Sequence, residues 1–210
     1  MSKKKKGKKG RKEAFDPEKD TGILRPVDMT IAAGEVNDRY SEYPSRGLTP
    51  VKLAAILREA DGGNVRSQME LYEDMEEKDP HLFSQMQTRK LAVTGLDWEV
   101  QPFSPDNEQD KVIAEWIKDQ LRGIENLDDI LTNLLDAIGK GVSIMEIIWG
   151  VDSKGFDVIE DIRYVHQKKL VWDWKTDDML ICTEQFPNGI HLPKNKFAVH
   201  KYNAKSGHTS

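Results

Sequence analysis

A single cysteine, Cys182, stands in the 210 residues of this sequence. One thiol cannot close an internal disulfide, which excludes a disulfide-stapled secreted scaffold and fits a reducing compartment. Cys182 is expected to be a packed or half-packed strand residue. No apolar run approaches the roughly 20 residues that span a bilayer, so no membrane partner is expected. The basic start is not followed by an apolar stretch, so no secretory leader is expected either. No Cys or His pair has zinc spacing, and no aspartate run matches a calcium loop. Metal ions and cofactors are therefore not expected.

What is present is charge, unevenly placed. Lys3, Lys4, Lys5, Lys6, Lys8, Lys9, Arg11 and Lys12 put eight basic groups into the first twelve residues. That leaves 23 of the 31 basic residues against 36 acidic ones, so the remaining chain has a net charge of −13. A lysine-rich tail can contact nucleic-acid phosphates by counterion release, or act as a solubilising arm. An acidic body argues against a folded surface that grips DNA.

Residues 1–47 show no sustained period and read as a basic, flexible N-terminal arm. Ile23, Leu24, Val27, Met29, Ile31 and Val36 could anchor part of it on the body or on a neighbour. Residues 48–210 read as one α+β unit. Thr49-Pro50 starts a helix with a Val51, Ala54, Ala55, Leu57 stripe. Asn64 can cap a second, with Val65, Met69, Tyr72 and Met75 at three- and four-residue spacing and Glu73–Lys78 as a solvated face. Asp79-Pro80 starts a third, with Leu82, Phe83, Met86, Lys90 and Val93. Leu96–Gln101 alternates like a half-buried strand around Trp98. Ser104-Pro105 opens a fourth helix that buries Val112, Ile113, Trp116, Ile117 and Leu121. A fifth runs from about Leu127 to Ile138, inside a stretch, 135–149, where helix gives way to strand.

From Val142 the period becomes strand-like. Val142–Trp149, Phe156–Tyr164, Leu170–Trp174, Met179–Thr183 and Phe197–Tyr202 read as an antiparallel meander. The chain stops at Ser210 with no closing element after Lys201, as expected of a truncated domain.

Three constellations invite chemistry. Gly139-Lys140-Gly141-Val142-Ser143 looks like part of a phosphate loop. The spacing fails, because position 134 is Leu and Gly141 follows the lysine. The order is also helix to strand, whereas a phosphate loop runs strand to helix. Gly139 reads instead as a helix C′ residue and Gly141 as the turn into the sheet. Glu146 sits in an apolar strand, on the face of Ile144 and Ile148. It is expected to pair with a base such as Arg89 or Lys90, or to lie at an edge or subunit contact. His191, Asn195 and His200 resemble a His-Asn-His nuclease only superficially, since no helix returns the last histidine. Trp172 and Trp174 share a face and read as packing aromatics, because their surroundings are acidic.

Several ordered segments resemble the Mu-type bacteriophage portal proteins. They are Leu48-Thr49-Pro50, Ile56–Asp61, Met75–Leu82 and Thr88–Val93, then Gly95–Val100 and 135–149. Ile162-Arg163-Tyr164, Asn188-Gly189 and Leu192–His200 follow. The residues in these segments that read as structural are Asp79, Pro80, Arg89, Lys90, Trp98, Gly139, Lys140, Gly141, Glu146 and Trp149. The resemblance runs from Leu48 to the C-terminus. It implies the wing-like α+β part of a subunit in a dodecameric ring at one vertex of a phage or prophage head. Double-stranded DNA would pass through that ring. The terminase large subunit, neck or connector proteins and capsid proteins would be its partners. The family supplies no catalytic residue. The expected location is the virion, with assembly in the host cytoplasm.

Overall fold

The structure is a computed structural model, and it describes residues 30–33, 44–153, 155–173, 175–176 and 178–203. The basic tail, Ile23–Met29, Val36 and Trp174 lie outside the described residues.

Helices come first. They are α1 (Pro50–Asp61), α2 (Arg66–Lys78), α3 (Pro80–Thr94), α4 (Glu108–Arg122), α5 (Leu127–Leu134) and the single turn α6 (Ala137–Lys140). Thr49 and Asp79 cap α1 and α3 through side-chain oxygens, each followed by proline at the first helical position. Strands follow: β1 (Val142–Val151), β2 (Asp157–Val165), β3 (Leu170–Asp173), β4 (Asp178–Ile181), β5 (Ile190–His191) and β6 (Phe197–Lys201). The chain is α+β with antiparallel sheets.

The strands are not one meander. They form two three-stranded sheets, ordered β2-β1-β6 and β3-β4-β5. β1 is central because Val142–Trp149 is mostly apolar, with Val142, Ile144, Ile147 and Ile148 β-branched, and can be buried on both faces. It pairs with β2 through Ile144 opposite Val165 and with β6 through Ile144 opposite Val199. One face of β1 meets α5: the Ser143 hydroxyl donates to the Asn133 carbonyl at 2.7 Å. His200 on β6 donates from Nδ1 to the Leu134 carbonyl at 2.8 Å.

The opposite face builds the core. Val142, Ile144 and Val165 pack with Val65 just before α2 and Met69 on it, with Leu170, Trp172, Ile181 and Ile190 of the second sheet, and with Ala32 and Ala33. Each fully buried aliphatic side chain there contributes about 1.5–3 kcal/mol relative to exposure. Two β2 amides bond side chains rather than a strand: Ile159 N–H donates to Gln120 Oε1 at 3.0 Å and Ile162 N–H to Asp161 Oδ1 at 2.8 Å. Satisfied in this way, they are less available to a foreign strand.

Several expectations are corrected. Leu96–Gln101 forms no strand, because alternation without a partner leaves the amides unsatisfied. α1 buries Ile56 and Ala60 rather than the Val51–Leu57 stripe. In α2 the charged stretch is only partly a solvated face: Glu77 and Lys78 are exposed, but Asp74 is buried and held by Lys78 at 2.6 Å and by the Ser45 N–H at 3.0 Å. Met75, Phe83 and Val93 are exposed. α4 starts at Glu108, capped by Asn107, rather than at Ser104-Pro105. The fifth helix breaks at Leu135-Asp136.

Candidate functional site: an arm clamp and an exposed apolar face

Glu146 is 0% exposed at the centre of β1. Its carboxylate accepts from the backbone N–H of Ile31, from that of Ala32 at 2.8 Å and from that of Ala33 at 2.7 Å. Lys196, also buried, places Nζ 3.5 Å from Glu146 Oε1. Lys169 Nζ donates to the Ala32 carbonyl at 3.0 Å. Three converging amides and an ammonium satisfy a charge that would otherwise be prohibitive to bury. Glu146 therefore holds a segment 113 to 115 residues away in sequence. The expected pairing with Arg89 or Lys90 is not what forms. Arg89 is exposed on α3, and Lys90 is engaged elsewhere.

Lys90 is buried and bonds Asp136 closely, with Glu76 at 3.4 Å. Burial pushes the Lys90 ammonium down, but Asp136 and Glu76 outweigh it and raise it above the ordinary lysine range. Lys140 reaches the other Asp136 oxygen at 3.3 Å. The lysine of the phosphate-loop lookalike is thus bound to a carboxylate inside the fold. Gly139 lies within α6 rather than just past it, and a Cβ there would meet Met86 Cε at 2.8 Å. Gly141 is the residue with positive φ, +79°, that turns the chain into β1. These two glycines join a helix to a strand and aim no helix N-terminus at a ligand.

Nearby, the half-buried Tyr164 donates its hydroxyl to Gln167 Oε1 at 2.6 Å. Burial, with Asp136 and Glu73 adding to it, pushes this phenol well above its usual range and keeps it neutral. His166 Nε2 lies 2.7 Å from Glu73, and its Nδ1 accepts the Lys168 N–H at 3.1 Å. Asp79 accepts from the His81 and Leu82 amides, which fixes the start of α3. Trp149 donates to the Asn195 carbonyl at 2.8 Å, tying β1 to the turn that precedes β6. Trp98 is half exposed at the rim of a depression that also includes Leu121, Ile124 and Leu127.

His191 lies on β5 of the second sheet and His200 on β6 of the first, with the His200 ring bonded to Leu134. Asn195 occupies a turn at φ +59°. No helix follows β6 among the described residues. Among those residues no cluster of three or more His, Cys, Asp or Glu could hold a metal, and no helix is long and apolar enough to cross a membrane. Cys182 is half-buried just after β4, and burial raises its thiol despite the opposing effect of Arg66.

α4 departs most from expectation. Four of the five residues read as its buried stripe are exposed, Val112 at 69% and Ile113, Trp116 and Ile117 with it, while Leu121 is half-buried. Only Ala114 is buried. Sequence reasoning also missed Lys196, Asp136 and the Ala32-Ala33 pair. Lys196 shares a turn with Lys194, and the pattern does not separate them. Backbone amides carry no sequence signature at all.

Comparison with known proteins agrees with the resemblance noted above. The family described as the portal protein of Mu bacteriophage matches residues 69–210. The Mu-like prophage FluMu protein gp29 of Haemophilus influenzae is 35% identical over 177 residues, covering 81% of this chain and 33% of its own. The portal protein of Escherichia phage Mu is 41% identical over 115 residues, covering 55% of this chain and 22% of its own. The chain thus spans a third or less of the length of these relatives. With the match running across most of the described helices and both sheets, this chain belongs to the Mu bacteriophage portal protein family.

Proposed function

We propose that this chain is a structural subunit of a phage or prophage portal, the head-tail connector vertex through which double-stranded DNA is packaged and ejected. The observation that carries the reading is the family match over residues 69–210. Within that frame the chain supplies a wing-like α+β region and an arm fixed by Glu146. Its role is architectural rather than catalytic: Lys140, Glu146 and His200 are each engaged in contacts that hold the fold. An acidic body beside a DNA channel avoids the strong phosphate attraction that would stall a sliding duplex. The homo-oligomeric ring, the terminase large subunit, and the neck, connector and capsid proteins are its proposed partners. The virion is its destination, reached from the host cytoplasm.

The test is complementation. A Mu-type phage lacking its portal gene receives a portal in which residues 48–210 of this chain replace the matching stretch. Recovery of heads filled with DNA is expected. A chimera that folds yet leaves heads empty overturns the reading. An enzymatic reading has its own test: purified protein with magnesium is expected to leave DNA intact, and cleavage abolished by His191→Ala would contradict it.

A further inference from the structure

We propose that Pro26–Met29 of the arm docks as a short antiparallel strand along the open edge of β6 and makes the first sheet four-stranded. The two edges of that sheet differ. On β2, Ile159 and Ile162 donate their amides to side chains. On β6 the register leaves a row of backbone groups facing outward. Ile147 N–H donates to the Lys196 carbonyl at 2.8 Å, and Tyr202 N–H to the Gly141 carbonyl at 2.9 Å. Hydrogen-bonded pairs alternate along an antiparallel ladder. Even-numbered residues here therefore bond β1, while Phe197, Val199 and Lys201 direct N–H and C=O away from it. Among the described residues no backbone partner meets these outward groups. With Val199 37% exposed, this is an apolar edge that templates another strand.

The arm clamp brings the covering segment to this edge. Glu146 lies opposite Phe197 in the β1–β6 register. Its Oε1 accepts the Ile31 N–H and lies 3.5 Å from Nζ of Lys196, the residue before β6, whereas Oε2 accepts from Ala32 and Ala33. The arm is thus held with its N-terminal side toward β6. Ile31 and Phe197 pack against the same core. Two residues reach about 7 Å and adjacent strands lie about 4.8 Å apart, so Met29 is within reach of the edge. Leading back from Ile31 along β6 toward Lys201, the arm is antiparallel to β6, with Met29 beside Phe197 and Val27 beside Val199. Alternation puts Val27 and Met29 on the face of Ile31, toward the core, and Asp28 on the opposite face. It also points the nitrogen of Pro26, which carries no hydrogen, away from β6. Proline is tolerated in that position on an edge strand, and it blocks any further strand. The lysine-rich tail then leaves the body beside Lys201. This contact is independent of the portal reading.

The experiment is amide hydrogen exchange at residue resolution on the full-length chain, on Val27→Pro and on Asp28→Pro. The amide of Met145, on the central strand, reports in each variant that the sheet is intact. In the parent, Phe197 and Val199 are expected to be protected and to stay so on dilution. Val27→Pro removes a donor aimed at β6 and should speed exchange at both by more than about tenfold. Asp28→Pro removes a donor aimed away from β6 and should change them by less than about threefold. Fast exchange of Phe197 and Val199 in the parent overturns the proposal. Protection lost on dilution assigns the edge to a second copy and overturns it. Protection unchanged by Val27→Pro assigns the edge to another segment, such as residues 204–210, and overturns it as well. Equal loss in the two proline variants also contradicts it, since a cover without strand pairing has no such alternation.

Discussion

At the scale of single residues, the buried charges of Asp74, Lys90, Lys140 and Glu146 each have an opposite charge beside them. Glu146 is the clearest case, with three amides and Lys196 around one carboxylate. Glu146→Ala removes the acceptor and leaves Lys196 buried without its counter-charge. A loss of roughly 3–5 kcal/mol is expected, the range for breaking a buried pair. The denaturation midpoint would report it, and trypsin would remove the N-terminal segment faster than in the parent. Asp74 makes a pH prediction. Burial pushes its carboxyl up, but bonds from Lys78 and Ser45 win and hold it below the usual aspartate range. A depressed folded value means its stabilisation is present above the unfolded pKa of about 3.9. It is lost as pH falls through the folded value. Acid titration of stability should therefore be shallower in Asp74→Asn below pH about 4 than in the parent.

At the scale of elements, the sequence was legible wherever local chemistry decides the outcome. Asp79-Pro80 announces a helix because a carboxylate cap and a preset φ act within a few residues. The Val142–Trp149 run announces a strand because alternation and β-branching agree. Orientation was less legible. α4 has an apolar arc, yet Ala114 on another arc meets the body, and only tertiary contacts distinguish the two. Leu96–Gln101 has strand alternation without a neighbouring strand to pair with. The α6–β1 junction was half legible: the pair of glycines marks a turn, but only Gly141 has positive φ. Gly141→Ala should cost about 1–2 kcal/mol through left-handed strain, measurable as a lower midpoint at unchanged slope.

At the scale of the whole molecule, two three-stranded sheets share one core, and eight of the basic groups are concentrated in the first twelve residues. The basic tail was legible as a charge run, and its residues lie outside those described. Deleting residues 1–12 removes eight positive charges and should abolish whatever salt-sensitive DNA affinity the chain has, while leaving its association unchanged. Loss of association instead would place the assembly contacts in the tail. Glu146 was visible as an anomaly in an apolar strand, but its partners were not, because amides 113 to 115 residues away look like any others. The measurement that bears most directly on the portal reading is the position and copy number of the chimeric chain in purified phage heads. The account predicts one dodecameric ring at a single vertex of each DNA-filled head. Chimeric protein spread over the whole shell, or absent from filled heads, would contradict it.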